Sequence, residues 1–274
     1  MSKWSVIVSP ENRFFKLAKS LAKVKFRRQA GLFPAEGVQL IIELINAGLQ
    51  PEFVLASTTF LESQNGQQLL WRLSKRSFVY QIEPALLNKL TETVTPQGIW
   101  AAFPIIPSDQ AAIWAAGPGG KSWVLCLDKV QDPGNLGTII RTCSAFGFSL
   151  VLSQGCVDLY NPKVVRASMG EIAKIAIMAD VDLPEFLAQK PADIPIYATS
   201  PQGENSILEA DTTRGCVLVI GNEAQGVSTT VSEITGRTFF IPMYGSVESL
   251  NAAVAAAIAI YELVRFDLSG MLSP

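Results

Sequence analysis

Three short polar segments in the second half of this 274-residue chain each follow an apolar run of strand length. In an open α/β sheet, ligands bind in the crevice beyond the carboxyl ends of the strands. The order of the segments therefore predicts that their polar side chains share one pocket. The segments are Asn135-Leu-Gly-Thr-Ile-Ile-Arg141, Gly221-Asn-Glu223-Ala-Gln-Gly226 and Ser249-Leu-Asn251.

The apolar runs of the second half are continuous, and most are followed by helical patterns. Continuous hydrophobicity is typical of a parallel sheet covered by helices on both faces, whereas half-exposed strands alternate. The pattern therefore predicts an α/β domain with a parallel sheet. Its predicted strands are 123–127, 150–152, 194–198, 217–220 and 238–241.

The first hundred residues predict a separate, small α/β domain. Its helices are expected at 11–25, 38–47 and 84–91, and its strands at 31–36, 53–57, 78–82 and 99–103. Prolines and glycines between residues 104 and 120 bracket a short helix beginning at Ser108, which is typical of a linker. The predicted boundaries are therefore 1–106 for the first domain, 107–121 for the linker and 122–274 for the second domain.

Charge is segregated along the chain. Residues 1–121 hold 13 Lys and Arg against 8 Asp and Glu, whereas residues 122–274 hold 9 against 16. A basic cluster without an intervening acid lies near the N-terminus, and such a cluster favours binding to a polyanion, most simply nucleic acid. The alternative is a solvated helix face. The cluster consists of Arg13, Lys16, Lys19, Lys23, Lys25, Arg27 and Arg28.

Composition excludes several classes of site. The chain has no histidine, so hydrolases that use a histidine base are excluded. Its four cysteines are scattered, which indicates buried thiols and neither a metal site nor a disulfide. No segment approaches the roughly 20 apolar residues that a membrane span needs, and a cytoplasmic location is expected.

Two glycine-rich segments resemble nucleotide-binding motifs without matching them. Gly119-Gly120-Lys121-Ser122 lacks the first glycine of a P-loop, because residue 115 is Ala, and it precedes a strand. The segment from Gly221 does not match G-x-G-x-x-G, which argues against a nicotinamide-dependent dehydrogenase.

Taken singly, the polar segments have ordinary structural explanations. Asn135 is expected to cap a helix, and Arg141 could then be a surface residue of that helix. The alanine-rich run 252–259 would let another backbone pack closely, within the fold or across a dimer, or would form a plain buried helix. The joint occurrence of the segments, in this order, carries the functional hypothesis.

In that order the segments closely resemble the motifs of the SpoU branch of the SPOUT RNA methyltransferases. The family places an Asn and an Arg in its first motif, G-x-E-x-x-G in its second and S-L-N in its third. Ile241-Pro242-Met243 also matches, and residues 26–37 with Gln97-Gly98 look like the N-terminal substrate-binding domain of the family.

The resemblance implies a deep trefoil knot in the C-terminal parallel sheet and a homodimer. It implies S-adenosylmethionine as cofactor and methyl transfer to a ribose 2′-hydroxyl of structured RNA, with ribosomal RNA favoured over transfer RNA. The residues implied to bind the cofactor are Gly221, Ile241, Leu250, Thr199 and Met243.

The resemblance also assigns catalytic roles to Arg141, as the base, and to Asn135, Glu223, Ser249 and Asn251. A guanidinium is a poor base near neutrality. In a second version of the mechanism, Arg141 therefore stays protonated and binds the target phosphate, while water or phosphate accepts the proton of the 2′-hydroxyl. A different hypothesis is an RNA-binding module with a degenerate catalytic half, against which these intact residues argue.

Overall fold

The computed structural model describes residues 4–73, 77–93 and 95–271, and they form two compact units. The N-terminal unit contains the chain up to Pro107 together with Asp158–Ala173. The C-terminal unit contains Ser108–Val157 and the chain from Lys174 onward. The predicted boundaries placed everything after residue 121 in one domain, but the structure packs Asp158–Ala173 with the N-terminal unit.

Strands and helices are numbered along the whole chain. The strands are β1 (Val6–Ile7), β2 (Leu32–Glu36), β3 (Phe53–Ala56), β4 (Phe78–Ile82), β5 (Ile99–Pro104), β6 (Ser122–Leu127), β7 (Ser149–Ser153), β8 (Ile177–Val181), β9 (Ile196–Thr199), β10 (Asn205–Ser206), β11 (Gly215–Ile220) and β12 (Thr238–Phe240). The helices are α1 (Arg13–Ser20), α2 (Val24–Ala30), α3 (Val38–Asn46), α4 (Thr58–Glu62), α5 (Gln64–Arg72), α6 (Pro84–Leu87), α7 (Gln110–Ile113), α8 (Pro133–Phe146), α9 (Pro162–Ala167), α10 (Leu183–Ala188), α11 (Thr229–Thr235) and α12 (Ala252–Met271). Among the described helices, none is long and apolar enough to cross a bilayer.

The N-terminal unit is built on a five-stranded mixed sheet in the order β1-β4-β3-β5-β2. β4 runs parallel to β1 and β3, whereas β5 runs antiparallel to β3 and β2. Gln97 fixes the start of α3, because its Oε1 accepts a hydrogen bond of 2.8 Å from the amide of Val38. The motif residue Gln97 therefore has a structural role within this unit.

The basic segment forms two helices where the sequence predicted one. The side chain of Asn12 caps α1 by accepting from the amide of Phe14, and α1 ends at Ser20. Leu21 follows as a fully buried residue. The guanidinium of Arg27, on α2, donates a hydrogen bond of 2.8 Å to the carbonyl of Leu21. The single helix predicted over 11–25 is therefore wrong.

Burial of Arg27 against Asp158 connects α2 to the segment that follows β7. Arg27 is 3% exposed, and its Nη2 lies 2.6 Å from Oδ1 of Asp158. A buried guanidinium is stable only when a counter-charge and acceptors surround it. Asp158 and the carbonyl of Leu21 supply both within the N-terminal unit.

The C-terminal unit contains a seven-stranded sheet in the order β10-β12-β9-β11-β6-β7-β8. Every strand pair described in this sheet is parallel, as predicted. The central strands β6 and β11 are almost wholly buried, in keeping with their continuous apolar sequences. The trefoil knot implied by the resemblance is a property of the chain path, not of strand pairing, and it stays a prediction.

The predicted linker contributes to the core of the C-terminal unit. Ile113 of α7 is fully buried there, and the ring of Trp114 stacks on Phe186 with centroids 5.0 Å apart. Asp109 caps α7 through the amide of Ala111, so the helix begins two residues after the predicted start at Ser108.

We predict that Asp158→Asn lowers the free energy of unfolding of the N-terminal unit by about 3 kcal/mol, because it leaves the Arg27 charge buried without its partner. Glu11→Gln is the matched control, since it breaks an exposed pair with Lys16 in the same unit and should cost less than about 1 kcal/mol. Urea denaturation followed by hydrogen exchange in α2 measures both. Equal losses in the two variants would contradict the assigned role of the buried pair.

Candidate active site at the carboxyl ends of the central strands

The three polar segments meet in one chain of hydrogen bonds. Nδ2 of Asn135 donates to Oε1 of Glu223 at 3.0 Å, and Nδ2 of Asn251 donates to Oδ1 of Asn135 at 2.9 Å. These residues come from α8, from the loop after β11 and from the residue before α12. The expectation that the segments share a site is thus matched by direct contacts.

Asn135 is available for these contacts because another residue caps α8. Asp132 is the N-cap, and its Oδ1 accepts from the amide of Asn135 at 2.7 Å, with Pro133 in the first turn. The prediction that Asn135 is the cap was wrong. Proline is well tolerated at the first helical position, where its missing N–H would have no helical partner. The amide of the Asn135 side chain can therefore serve as both donor and acceptor.

The two polar atoms of the Asn251 side chain make different contacts. Its Oδ1 accepts from the amides of Ala253 at 3.0 Å and Val254 at 3.3 Å, so Asn251 caps the start of α12. Its Nδ2 then points to Asn135. The helix start and the hydrogen-bond chain are consequently fixed by the same side chain.

Glu223 lies in a tight turn that Asn222 stabilises. Asn222 Oδ1 accepts from the amides of Ala224 and Gln225, and the backbones of Asn222 and Gly226 exchange two hydrogen bonds of 2.9 Å. Partial desolvation raises the pKa of Glu223. The hydrogen bonds from Asn135 and from backbone amides lower the pKa and together outweigh the effect of desolvation. The net pKa lies below its ordinary value, so Glu223 is a carboxylate near neutral pH.

A cavity of about 510 Å³ opens beside this turn. Its walls come from the segments after β9, β11 and β12, at the carboxyl edge of the sheet. All five residues predicted to bind the cofactor line it, as do Glu223 and Ser249. The five are Thr199, Gly221, Ile241, Met243 and Leu250.

Gly221 is required by the close approach of two backbone segments. A Cβ at this position would lie 2.1 Å from the carbonyl carbon of Gly226 and from the amide nitrogen of Val227. No side chain can occupy that space without moving the turn that carries Glu223. Gly221 therefore sets the shape of the cavity wall.

Arg141 is exposed and lies outside the cavity lining of its own chain. It is six residues beyond Asn135 on α8, which corresponds to about 9 Å along the helix axis. Among the described residues, the side chain of Arg141 has no hydrogen-bond or ion-pair partner. Its guanidinium is free to meet a ligand.

Six of the seven residues predicted to contact RNA are exposed on the N-terminal unit, and Arg27 is not. Arg27 is buried against Asp158 and is removed from the predicted contact surface. Lys16 also forms an exposed ion pair with Glu11. The exposed residues are Arg13, Lys16, Lys19, Lys23, Lys25 and Arg28.

Residues that were not predicted from the sequence also hold the site in place through hydrogen bonds to backbone groups. Asp128 is buried and accepts from the amide of Ser228 at 2.7 Å, and Asn222 Nδ2 donates to the carbonyl of Lys129 at 2.8 Å. The Asp132-Pro133 pair could have identified the true helix cap, because an N-cap residue followed by proline is a typical helix start. Nothing in the sequence alone signals the other two contacts.

Comparison with known proteins matches both units. Residues 122–261 match the SpoU rRNA methylase family, and residues 12–101 match the MRM3-like substrate binding domain. An uncharacterised tRNA/rRNA methyltransferase of Synechocystis sp. is 33% identical over 94% of this chain and 93% of its own length. The 23S rRNA (guanosine(2553)-2′-O)-methyltransferase RlmP of Bacillus subtilis is 33% identical over 94% and 98%.

Solved structures agree with this assignment. The SpoU methyltransferase AviRb of Streptomyces viridochromogenes, in complex with AdoMet, superposes with a TM-score of 0.84 at 28% identity, covering 94% of this chain and 99% of that one. The AdoMet-bound rRNA methyltransferase of Sinorhizobium meliloti gives 0.82 at 26% identity, covering 97% and 99%. Fold and site thus define a SPOUT methyltransferase. The chain belongs to the SpoU rRNA methylase family, which confirms the resemblance.

We predict that Gly221→Ala displaces the turn of residues 221–226, because its methyl group would overlap the backbone of Gly226 and Val227. The expected result is a melting temperature lower by several degrees and faster proteolysis within the turn. Gly245→Ala is the matched control, since a Cβ at Gly245 meets nothing within 4 Å. If both variants behave like the wild type, the close approach at Gly221 is not a constraint in solution.

Proposed function

We propose that this protein transfers the methyl group of S-adenosylmethionine to a ribose 2′-hydroxyl of ribosomal RNA. The observation that carries the proposal is the cavity of about 510 Å³ beside the hydrogen-bonded residues Asn135, Glu223 and Asn251, formed by the motif residues of the family. S-adenosylmethionine, when bound, supplies an electrophilic methyl group on a sulfonium centre. The relatives support this chemistry, because RlmP is by name a 2′-O-methyltransferase.

The cavity residues fit such a cofactor in size and chemistry. Its volume lies within the range of about 300–1,000 Å³ typical of small-molecule sites. Ile241, Met243 and Leu250 offer apolar contacts for an adenine ring, and residues 241–251 form neither helix nor strand, which leaves backbone groups available for hydrogen bonds. The ionised Glu223 complements a sulfonium cation in sign.

In this proposal the chain mainly positions the reactants. Asn135, itself held by Asn251, donates to the Glu223 carboxylate. The carboxylate with Ser249 orients the ribose at the cavity mouth. Fixing two reactants in line can contribute roughly 7 to 11 kcal/mol to catalysis. Arg141 keeps its charge, binds the phosphate of the target nucleotide and stabilises the developing alkoxide, while water or phosphate accepts the proton.

Ribosomal RNA is favoured over transfer RNA by two relatives. RlmP and the 23S rRNA (uridine(2479)-2′-O)-methyltransferase of Streptomyces viridochromogenes, which is 30% identical over 96% of this chain and 93% of its own length, both carry 23S rRNA in their names. The exposed lysines and arginines of α1 and α2 provide a surface for the RNA backbone. A degenerate RNA-binding module is disfavoured, because the hydrogen-bonded residues are all present.

The deciding experiment maps 2′-O-methyl groups in RNA from cells with and without the gene, and then tests the purified protein on unmodified transcripts. One ribosomal position should lose its methyl group in the deletion strain and regain it with purified protein and S-adenosylmethionine. A position in transfer RNA would replace the ribosomal proposal. Absence of heat on titration with S-adenosylmethionine would favour the degenerate module.

We predict that Arg141→Lys lowers kcat at least about a hundredfold, because a point charge cannot replace the planar, bidentate guanidinium. The Kd for S-adenosylmethionine should change less than about threefold, since Arg141 lies outside the cavity lining. Arg214→Lys, at the amino end of β11, is the control and should leave kcat unchanged. Near-normal turnover of Arg141→Lys would remove the guanidinium from the mechanism.

We also propose that the protein is a homodimer through α12 and the adjoining surface of α8. Val254, Ile258 and Tyr261 recur at helical spacing on α12, and they are 47%, 41% and 54% exposed. The ring of Tyr261 contacts Phe146 of α8 edge-on, with centroids 5.9 Å apart. A second copy of the chain that covered this apolar face would lie beside Arg141, which explains why that residue is exposed in a single chain.

We predict that Ile258→Glu halves the mass measured by light scattering and abolishes methyl transfer, because a carboxylate cannot be buried unpaired in the dimer interface. Ile234→Glu is the matched control, since Ile234 is 39% exposed on α11 and should leave the mass unchanged. A monomeric wild type, or a dimeric Ile258→Glu variant, would refute the proposed interface.

A further inference from the structure

Lys129 has an unusual backbone conformation at the carboxyl end of β6. Its φ is 59°, in the left-handed region that favours glycine. Holding a residue with a Cβ in that region costs roughly 1 to 2 kcal/mol. Lys129 lies three residues before Asp132, the residue that caps α8. The strained position therefore directly adjoins the candidate active site.

Both backbone groups of Lys129 are held by neighbouring strands. Its amide donates to Oγ of Ser153, the last residue of β7, at 2.9 Å. Its carbonyl accepts from Nδ2 of Asn222, which follows β11, at 2.8 Å. Because β7 and β11 flank β6, the strained residue is fixed from both sides. Backbone strain that neighbouring contacts hold in place is often found at functional sites.

The side chain of Lys129 extends toward the β7 side. Its Cγ lies 3.3 Å from the position a Cβ would take at Gly155, so the absence of a side chain there makes room for the lysine stem. The cavity lies on the other side of β6, over β9, β11 and β12. Cavity, Glu223 and Lys129 thus follow one another along the carboxyl edge of the sheet.

Lys129 is a positively charged residue in a C-terminal unit that is acidic as a whole. The unit holds 8 Lys and Arg against 15 Asp and Glu, so its net charge is unfavourable for binding RNA. Lys190, Arg214 and Arg237 line a separate cavity at the amino ends of the strands. Lys129 is exposed at the carboxyl edge, and no carboxylate pairs with it among the residues that the structure describes.

We propose that Lys129 binds a backbone phosphate of the substrate RNA next to the target ribose, on the side of Glu223 away from the cofactor cavity. The proposal rests on the proposed function and extends it to the path of the RNA across the site. A glycine would satisfy the left-handed turn at lower cost. In this proposal the charge of the lysine compensates for the backbone strain, and the two backbone hydrogen bonds fix the point from which the side chain extends.

The test compares Lys129→Gln, Lys129→Gly and Lys129→Arg with the wild type. Filter binding to an in vitro transcript of Bacillus subtilis 23S rRNA is measured from 50 to 250 mM KCl. The Gln and Gly variants should bind roughly three- to fivefold more weakly at low salt. Their slope of log Kd against log salt should fall by about 0.7 to 0.9, the value for one lost phosphate contact. Lys129→Arg should keep the wild-type slope.

Thermal melting separates the backbone argument from the charge argument. Lys129→Gly should melt at a higher temperature than Lys129→Gln, because glycine relieves the left-handed strain while both remove the charge. An unchanged salt slope in Lys129→Gln, or a reduced slope in Lys129→Arg, overturns the phosphate contact. Equal melting of the Gly and Gln variants overturns the strain argument. Binding of S-adenosylmethionine, followed by calorimetry, should be the same in all four proteins.

Failure of the proposed function gives a different result. If wild-type protein transfers no methyl group to any ribosomal transcript, the assigned substrate is wrong even where the salt slopes differ as expected. If the wild type is active and the salt slopes coincide, only the role of Lys129 is wrong.

Discussion

The hydrogen bonds that link Glu223, Asn135 and Asn251 are the constraint on which the rest of the site depends. They join the turn after β11, the first turn of α8 and the start of α12. Residues 241–250 have no regular secondary structure and supply one wall of the cavity. Asn251 follows them directly in the chain. Fixing Asn251 therefore fixes one end of that wall. Without these bonds, the carboxylate and the wall would be positioned independently.

The same bonds explain the ionisation of Glu223. A carboxylate that accepts hydrogen bonds from an amide side chain and from backbone amides is stabilised in its charged form. The folded-state pKa of Glu223 is lowered, so its contribution to stability is present above its ordinary pKa and is lost as pH falls through the lower folded value. The site keeps its negative charge throughout the neutral range.

Sequence reasoning succeeded where burial alone determines structure. The runs that form β6 and β11 were predicted to within two residues, because central strands of a parallel sheet must be apolar on both faces. It failed at β8, whose residues are half exposed and include Asp180 at a φ of 64°. It also could not place Asp158–Ala173 on the N-terminal unit. That arrangement includes a buried ion pair between residues 131 positions apart, Arg27 and Asp158.

The candidate site shows the same division. Residue types and their order predicted that Asn135, Glu223 and Asn251 lie close together, since strand ends converge in an open sheet. Arg141, predicted with them, lies outside the cavity lining. Residue types and their order did not show which residue caps α8, because Asp132 and Asn135 are both good caps and only the backbone path decides between them. Lys129 escaped notice for a related reason. The role proposed for it rests on a backbone dihedral angle and two backbone hydrogen bonds, none of which has a sequence signature.

The acidic character of the C-terminal unit limits where the phosphates of a bound RNA can rest. At physiological ionic strength, exposed charges are screened beyond about 8 Å, so the net repulsion of the unit acts only at short range. Within that range, the charges that decide where a phosphate rests are those nearest the site, namely Glu223 and Lys129 at the carboxyl edge and Arg141 further along α8. Glu223 repels a phosphate, whereas Arg141 and Lys129 attract one. In the proposed mechanism, the ribose approaches Glu223 while its flanking phosphates remain on the two cations, and a transfer to the 2′-oxygen needs this separation of sugar from phosphate.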